Sequence, residues 1–377
     1  CIRDSVTSVL GALSVGEVFT QGVKTVAQFS QAMSNLAVST KATGGDFEAL
    51  ETKARKLGTT TRFSATQAAE GMLALSKAGL DTDQVLASIE GTLLLAQAGA
   101  LDLGTAAQIT SNVMSSFGLE ASESGRVADI LSEAARTANI DITDLGGALK
   151  GVALTSSGLG ISIEEMTASI SVLSDKGMKA TSASTGLGQV LSELETPAAK
   201  SEDILNKLGL KLEDVRPSTV GLTQAIATLS EAGVDTGDAL TLFGDKGGAA
   251  FGIMSDSIPD IHNLTTALGE SEGSAQRAAN TMNDNLNGAL LATADKAREI
   301  ALAFGEAGAE QALIKALQGL QALLTFVAEN ADVVTKALIV ASAAGAGFIG
   351  AKGIGAALPV ISRFVGGLTA TNIAAAA

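Results

Sequence analysis

Three stretches of the chain close on the same Gly-Leu pair after similar Ser/Thr/Ala-rich text: Ser64 to Leu80, Leu103 to Leu119 and Thr143 to Leu159. Their terminal leucines stand about 40 residues apart, room for two helices and a turn, so the natural unit is a helical hairpin repeated in tandem. A chain built this way must bury its apolar surface between successive hairpins, and the question becomes what the array packs against. Glycine is the expected stop of each first helix, at Gly79, Gly118 and Gly158, where a left-handed residue closes a helix. Starts follow by capping chemistry. Ser64 with Gln67 and Ser162 with Glu165 have capping-box spacing, Asp81 or Asp83 caps one partner helix, and Ser122 or Ser124 another. A weaker fourth echo runs from Leu229 to Val234, then Asp235 and a helical stretch Ala239 to Phe243.

The composition agrees with close helix packing. Hydrophobic residues make up 46% of the 377 positions, yet aromatics are 3%, with no Trp or Tyr. Ala, Leu and Gly carry the apolar content, so each side chain buries little area and the core spreads over many shallow contacts. The 42 glycines are many for helices, where an interior Gly costs about 1 kcal/mol against Ala; most are expected at helix ends. The fold class is therefore all-α, with tandem hairpins of about 40 residues followed by longer apolar helices in an oligomeric bundle.

Charge excludes some functions. A net charge of −15 without a basic run offers no counterion-release term for nucleic acid, so no specific nucleic-acid binding is expected. The one cysteine, Cys1, excludes an internal disulfide. The chain opens on Cys rather than Met and reads as a piece of a longer polypeptide.

Four segments are expected. Residues 1–45 carry amphipathic helices, with Val23, Val26, Phe29, Met33 and Leu36 at helical spacing. Residues 46–250 hold the repeats, including a polar stretch from Lys176 to Pro217 broken by Pro197 and Pro217. Residues 251–310 form a polar helical connector. In 311–377, Leu313, Leu317, Leu320, Leu324, Val327, Ala331, Val334 and Leu338 alternate four and three apart as a heptad seam. The flanking Ile314, Ala316, Gln321, Leu323, Ala328 and Asn330 are uncharged, which fits a bundle of three or more strands. Ala343, Gly347, Ala351 and Gly355 then form a small-residue row for close helix contact.

No catalytic, cofactor-binding or metal-ligating residues are assigned. Gly345 to Gly350 spells GxGxxG, but no acid follows to hold a ribose, so helix packing is the reading. Asp256, Asp260 and His262 surround Pro259 in a loop-like stretch without ligand spacing. Gly244 to Gly248 lacks the phosphate-loop spacing and reads as a hinge. The uncharged run Ala337 to Ala351 spans roughly 22 Å as a helix, short of the roughly 30 Å hydrocarbon core. If Lys352 is tolerated, residues 337–362 are long enough to enter a membrane, which keeps a channel-forming protein open as an alternative. A generic α-helical binding scaffold is the other.

Phe47 to Leu80 (FEALETKARKLGTTTRFSATQAAEGMLALSKAGL), Leu95 to Leu119 and Asp238 to Phe251 (DALTLFGDKGGAAF), taken in order, resemble the core region of phage tail tape measure proteins. The likeness covers about Ala32 to Met254 and continues weakly through Asn280 to Leu290. It implies a structural virion protein rather than an enzyme, held in several helical copies in the lumen of the tail tube. Such proteins set tail length during assembly and leave when DNA is ejected. They contact tail-tube and tail-tip or baseplate hub proteins, and some enter the host envelope and its membrane. A ruler is expected to be one long helix, whereas Gly and Pro divide this chain into short capped ones; it reads as a compact module of such a protein.

Overall fold

The computed structural model describes residues 15–283, with side chains from 24 to 282. Every regular element among them is helical. The helices are α1 Val15–Thr40, α2 Gly45–Thr60, α3 Ala65–Lys77, α4 Thr82–Ala98, α5 Leu103–Phe117 and α6 Ser124–Thr137. There follow α7 Ile142–Gly158, α8 Ile163–Asp175, α9 Ala180–Glu195, α10 Ala199–Lys207, α11 Leu212–Val215 and α12 Pro217–Val220. The last four are α13 Leu222–Glu231, α14 Thr236–Asp256, α15 Ile258–Gly269 and α16 Ser274–Asn283. Two compact units divide the chain, and Gln31–Leu57 with Ala65–Met282 makes up the larger.

Within that unit the helices form two rows. In one, α3 packs on α5, α5 on α7, α7 on α9 and α9 on α14; in the other, α4 packs on α6, α6 on α8 and α8 on α15. Each pair α3/α4, α5/α6 and α7/α8 is thus one hairpin stacked on the next, as the period of about 40 residues requires. From Ala180, inside the stretch read as polar, α9 continues the first row, while the weaker echo at Leu229 to Val234 closes α13 and Asp235 caps α14. There α9 supplies the row with Ala183, Leu187, Val190, Leu191 and Leu194, all buried. The insertion α10 to α13 then intervenes before α14 and α15 close both rows.

The junctions between helices share one construction. At Gly79, Gly118, Gly160, Gly177, Gly209 and Gly233 the backbone turns left-handed, with φ between 66° and 103°. The next residue is apolar (Leu80, Leu119, Ile161, Met178, Leu210, Val234), and its N–H donates five residues back, at 2.8–3.3 Å. This is the Schellman closure, which satisfies a carbonyl the ending helix leaves free. The residue after that begins the next helix. Asp81, Ser162 and Asp235 each accept an N–H of the first turn on their side chains. Asp81, not Asp83, is the cap, in a full capping box with Gln84 at 2.9 and 3.0 Å. Lys41 (φ 57°) and Ala100 (φ 50°) take the left-handed place without being glycine.

Three expected boundaries move. Gly158 stays helical, and Gly160 turns the chain, because Ile161 is the residue whose N–H reaches Ser156. Neither Ser122 nor Ser124 caps α6: a short 3₁₀ turn, Ala121–Glu123, precedes it, and Glu123 Oε2 accepts from Glu120 N–H at 2.9 Å. Asp256, Asp260 and His262 do not lie in a loop. Pro259 sits in the first turn of α15, where its missing N–H costs nothing, so Asp260 and His262 are helical.

Glycine has a second use, inside helices. A Cβ on Gly91 of α4 would lie 2.3 Å from the Ser124 carbonyl carbon of α6, and one on Gly186 of α9 would lie 2.6 Å from the Lys246 carbonyl oxygen of α14. Backbones meet at these points, and Ser184 Oγ bridges another such contact by donating to Ala148 O at 2.7 Å. The core between the rows is aliphatic, with Leu95, Ile130, Leu131, Leu145, Leu149 and Ile170 fully buried.

Candidate functional site

The residues expected at an oligomer interface (Leu313, Leu317, Leu320, Leu324, Val327, Val334, Leu338, Ala343, Gly347 and Ala351) lie outside the described residues, as do the GxGxxG run and 337–362.

Carboxylates dominate the polar chemistry, and they act between helices. The expected capping box at Ser162 is half made. Ser162 Oγ accepts from Glu165 N–H at 3.1 Å, but the Glu165 carboxylate turns to another helix and accepts from Thr223 N–H at 2.8 Å and Thr223 Oγ1–H at 2.7 Å. Glycine at the N-cap of α13 has no side chain to do this, so a carboxylate from α8 takes its place. Glu195 does the same for α12, accepting from Ser218 Oγ–H at 2.8 Å. Glu193 serves α10, accepting from Ala198 N–H at 2.8 Å and from the Ser201 hydroxyl. A negative group at a helix N-terminus is also favoured by the helix dipole. Much of the acidity thus has a structural use.

The densest cluster gathers α16 onto α6 and α4. Asp129 accepts from Gly273 N–H and Ala275 N–H, each at 2.9 Å. Glu133 accepts from Ser274 Oγ–H at 2.9 Å and pairs with Arg136. The Arg136 hydrogen bond, then that of Ser274, holds the Glu133 carboxyl below its ordinary range, against partial burial that pushes it up. The buried Gln97 of α4 donates its Nε2–H to Ala279 O at 2.9 Å. Asp129, Glu133 and Gln97 were missed in the sequence because their partners on α16 lie 141 to 182 residues away.

Two large open clefts lie among the described residues. One, of ≈ 930 Å³, lies where the turns after α4, α6 and α8 converge around Gly99, Asn139 and Gly177. The other, of ≈ 830 Å³, runs along the small-residue faces of α7 and α9, past Gly147, Gly151, Thr185 and Gly188 to Phe243. The second takes in Gly244, in the Gly244 to Gly248 segment read as a hinge. Gly244 (φ 68°, ψ −175°) kinks α14, and Gly247 N–H then donates to Gln189 Oε1 at 2.9 Å, seating the helix on α9. Among the described residues no group of His, Cys, Asp and Glu could hold a metal ion. Among them, too, no helix is long and apolar enough to cross a membrane. The surfaces offer packing and polar docking.

Comparison with known proteins gives this architecture a class. Residues 51–232 match the family described as phage-related minor tail protein, so the chain is of the phage tail class. It is 31% identical over 271 residues to the tape measure protein of Pneumococcus phage Dp-1, an alignment covering 70% of this chain and 24% of the relative. It is 29% identical over 273 residues to the probable tape measure protein of Escherichia phage P2, covering 69% of this chain and 34% of the relative. Over most of its length the chain is similar to phage tail tape measure proteins. It spans about a quarter to a third of the length of these relatives. No solved structure matches it.

Proposed function

We propose that the chain is a folded module of a tail tape measure protein, a structural component of the virion and not an enzyme. In this reading it occupies the lumen of the tail tube, takes part in setting tail length during assembly and is released when DNA is ejected. The observation that carries it is the agreement between the matched segment, 51–232, and the stacked hairpins α3 to α9. Residues 46–250 then form the core of the module, the expected connector 251–310 begins with α15 and α16 packed on it, and 311–377 hold several copies together. Leu313, Leu317, Leu320, Leu324, Val327, Val334 and Leu338 make the seam, followed by the small-residue row Ala343, Gly347 and Ala351. Its partners are further copies of itself and the tail-tube and tail-tip or hub proteins, with the host envelope as a destination after ejection.

The test is made on virions of the phage that encodes the chain. Protease added to intact particles should leave the protein uncut, and particles triggered to eject their DNA should lose it. Cleavage on intact particles, or retention after ejection, would contradict the proposal.

The stacked rows also favour a second reading, an α-helical binding scaffold, since hairpin arrays present extended surfaces. Disrupting the seam separates the two. Leu317→Asp with Leu324→Asp should lower the oligomeric state in sedimentation if copies associate through it, and a scaffold working alone would not respond.

A further inference from the structure

The last described helix is held differently from the others. Helices α13 and α15 are anchored by buried Leu and Ile, at Leu222, Ile226 and Leu229 and at Ile261 and Leu268. In α16 the buried apolar side chains are two alanines, Ala275 and Ala279. Its grip comes from polar groups of helices far away in the chain: Asp129 on two N–H groups at its N-terminus, Glu133 on Ser274, and Gln97 on the Ala279 carbonyl. Within the described residues α16 is therefore held by polar contacts more than by apolar burial.

We propose that α16 is a releasable clasp, a unit that undocks from α4 and α6 while the two rows of helices stay folded. The chain leaves the module through this helix. Opening it frees residues 274–283, ten residues that reach up to about 35 Å when extended. The module thereby has two states that differ in where its C-terminal continuation starts. Local opening of this kind is set by few buried apolar contacts, the condition α16 meets and α8 does not. The inference stands on the contacts of α16 and does not rest on the assembly role proposed above.

Hydrogen exchange on the intact chain tests it. In the wild type, the amides of 278–282 should exchange at least about tenfold faster than those of 167–175 in α8. Asp129→Asn removes a charged acceptor and should speed 278–282 by about tenfold more, leaving 167–175 unchanged. Equal rates in the wild type, or acceleration of both regions together in the variant, would overturn the clasp. If Asp129→Asn does not fold, the wild-type comparison decides alone.

Discussion

Replacing Gly91 by alanine probes the contact on which the row α4–α6–α8 depends. The added methyl would stand 2.3 Å from the Ser124 carbonyl carbon and 2.5 Å from both Gly125 N and Ser124 O. Carbon atoms in contact prefer about 3.5–4.0 Å, so the helices must part by more than about 1 Å. Neither backbone is free to yield. Val85 and Ile89 flank the contact on α4, and Val127, Ile130 and Leu131 lie on α6, all with no exposed surface. Such overpacking costs about 3 kcal/mol, the upper end of its range. Alanine returns about 1 kcal/mol of helix propensity, leaving about 2 kcal/mol of net destabilisation. For a unit of this size that lowers the thermal midpoint by about 4–8 °C. Gly252→Ala is the matched control: nothing lies within 4 Å of its added Cβ, and the variant should gain up to about 1 kcal/mol. Urea and thermal unfolding followed by circular dichroism measure both. A Gly91→Ala protein as stable as Gly252→Ala would refute the close-contact argument.

Other substitutions test the junctions and the carboxylates. Gly118→Ala meets open space but a φ of 66°, and should cost about 1 kcal/mol in denaturant unfolding. Ala100→Gly relieves the same strain at φ 50° and should raise stability by up to about 1 kcal/mol, less the entropy it adds to the unfolded chain. Glu165→Ala leaves the N-terminus of α13 uncapped and should cost about 1 kcal/mol, with faster hydrogen exchange in 224–231 than in α7. Glu133 is depressed below its ordinary value of 4.5, so its contribution is complete above that value and is lost as pH falls through the lower folded pKa. Glu133→Gln should flatten that acid limb in a pH series of unfolding midpoints, and an unchanged limb would argue against the assignment.

Where the sequence was informative, the reason is local. Gly-apolar-Asp at Gly79, Leu80 and Asp81 states a helix end, its hydrophobic contact and the next helix start within three residues, so period and hairpin could be read without tertiary knowledge. Gly160 hid behind Gly158 because both suit a helix end, and only the reach of the Ile161 N–H separates them. Helix α9 was obscured because it shows Ser, Thr and Gly on its open face, so its stretch reads as polar. Glu165 was identified as a cap, but for its own helix. Nothing within four residues signals that the N-cap of α13, Gly221, lacks a side chain and borrows this one. Asp129 and Gln97 had no local signal at all, since their partners are placed by the stacking of hairpins. Contacts fixed by stacking become legible only once the rows exist.

The central claim is that residues 31–282 form a compact stack of short helices and not a section of straight rod. Small-angle X-ray scattering on a fragment spanning residues 31–282 tests it most directly. A compact unit of that length has a radius of gyration of about 18 Å. A single helix of the same length would extend about 380 Å. A radius near the compact value, with strong helical circular dichroism, is the result the account predicts. A rod-like scattering profile, or a fragment without cooperative unfolding, would contradict it.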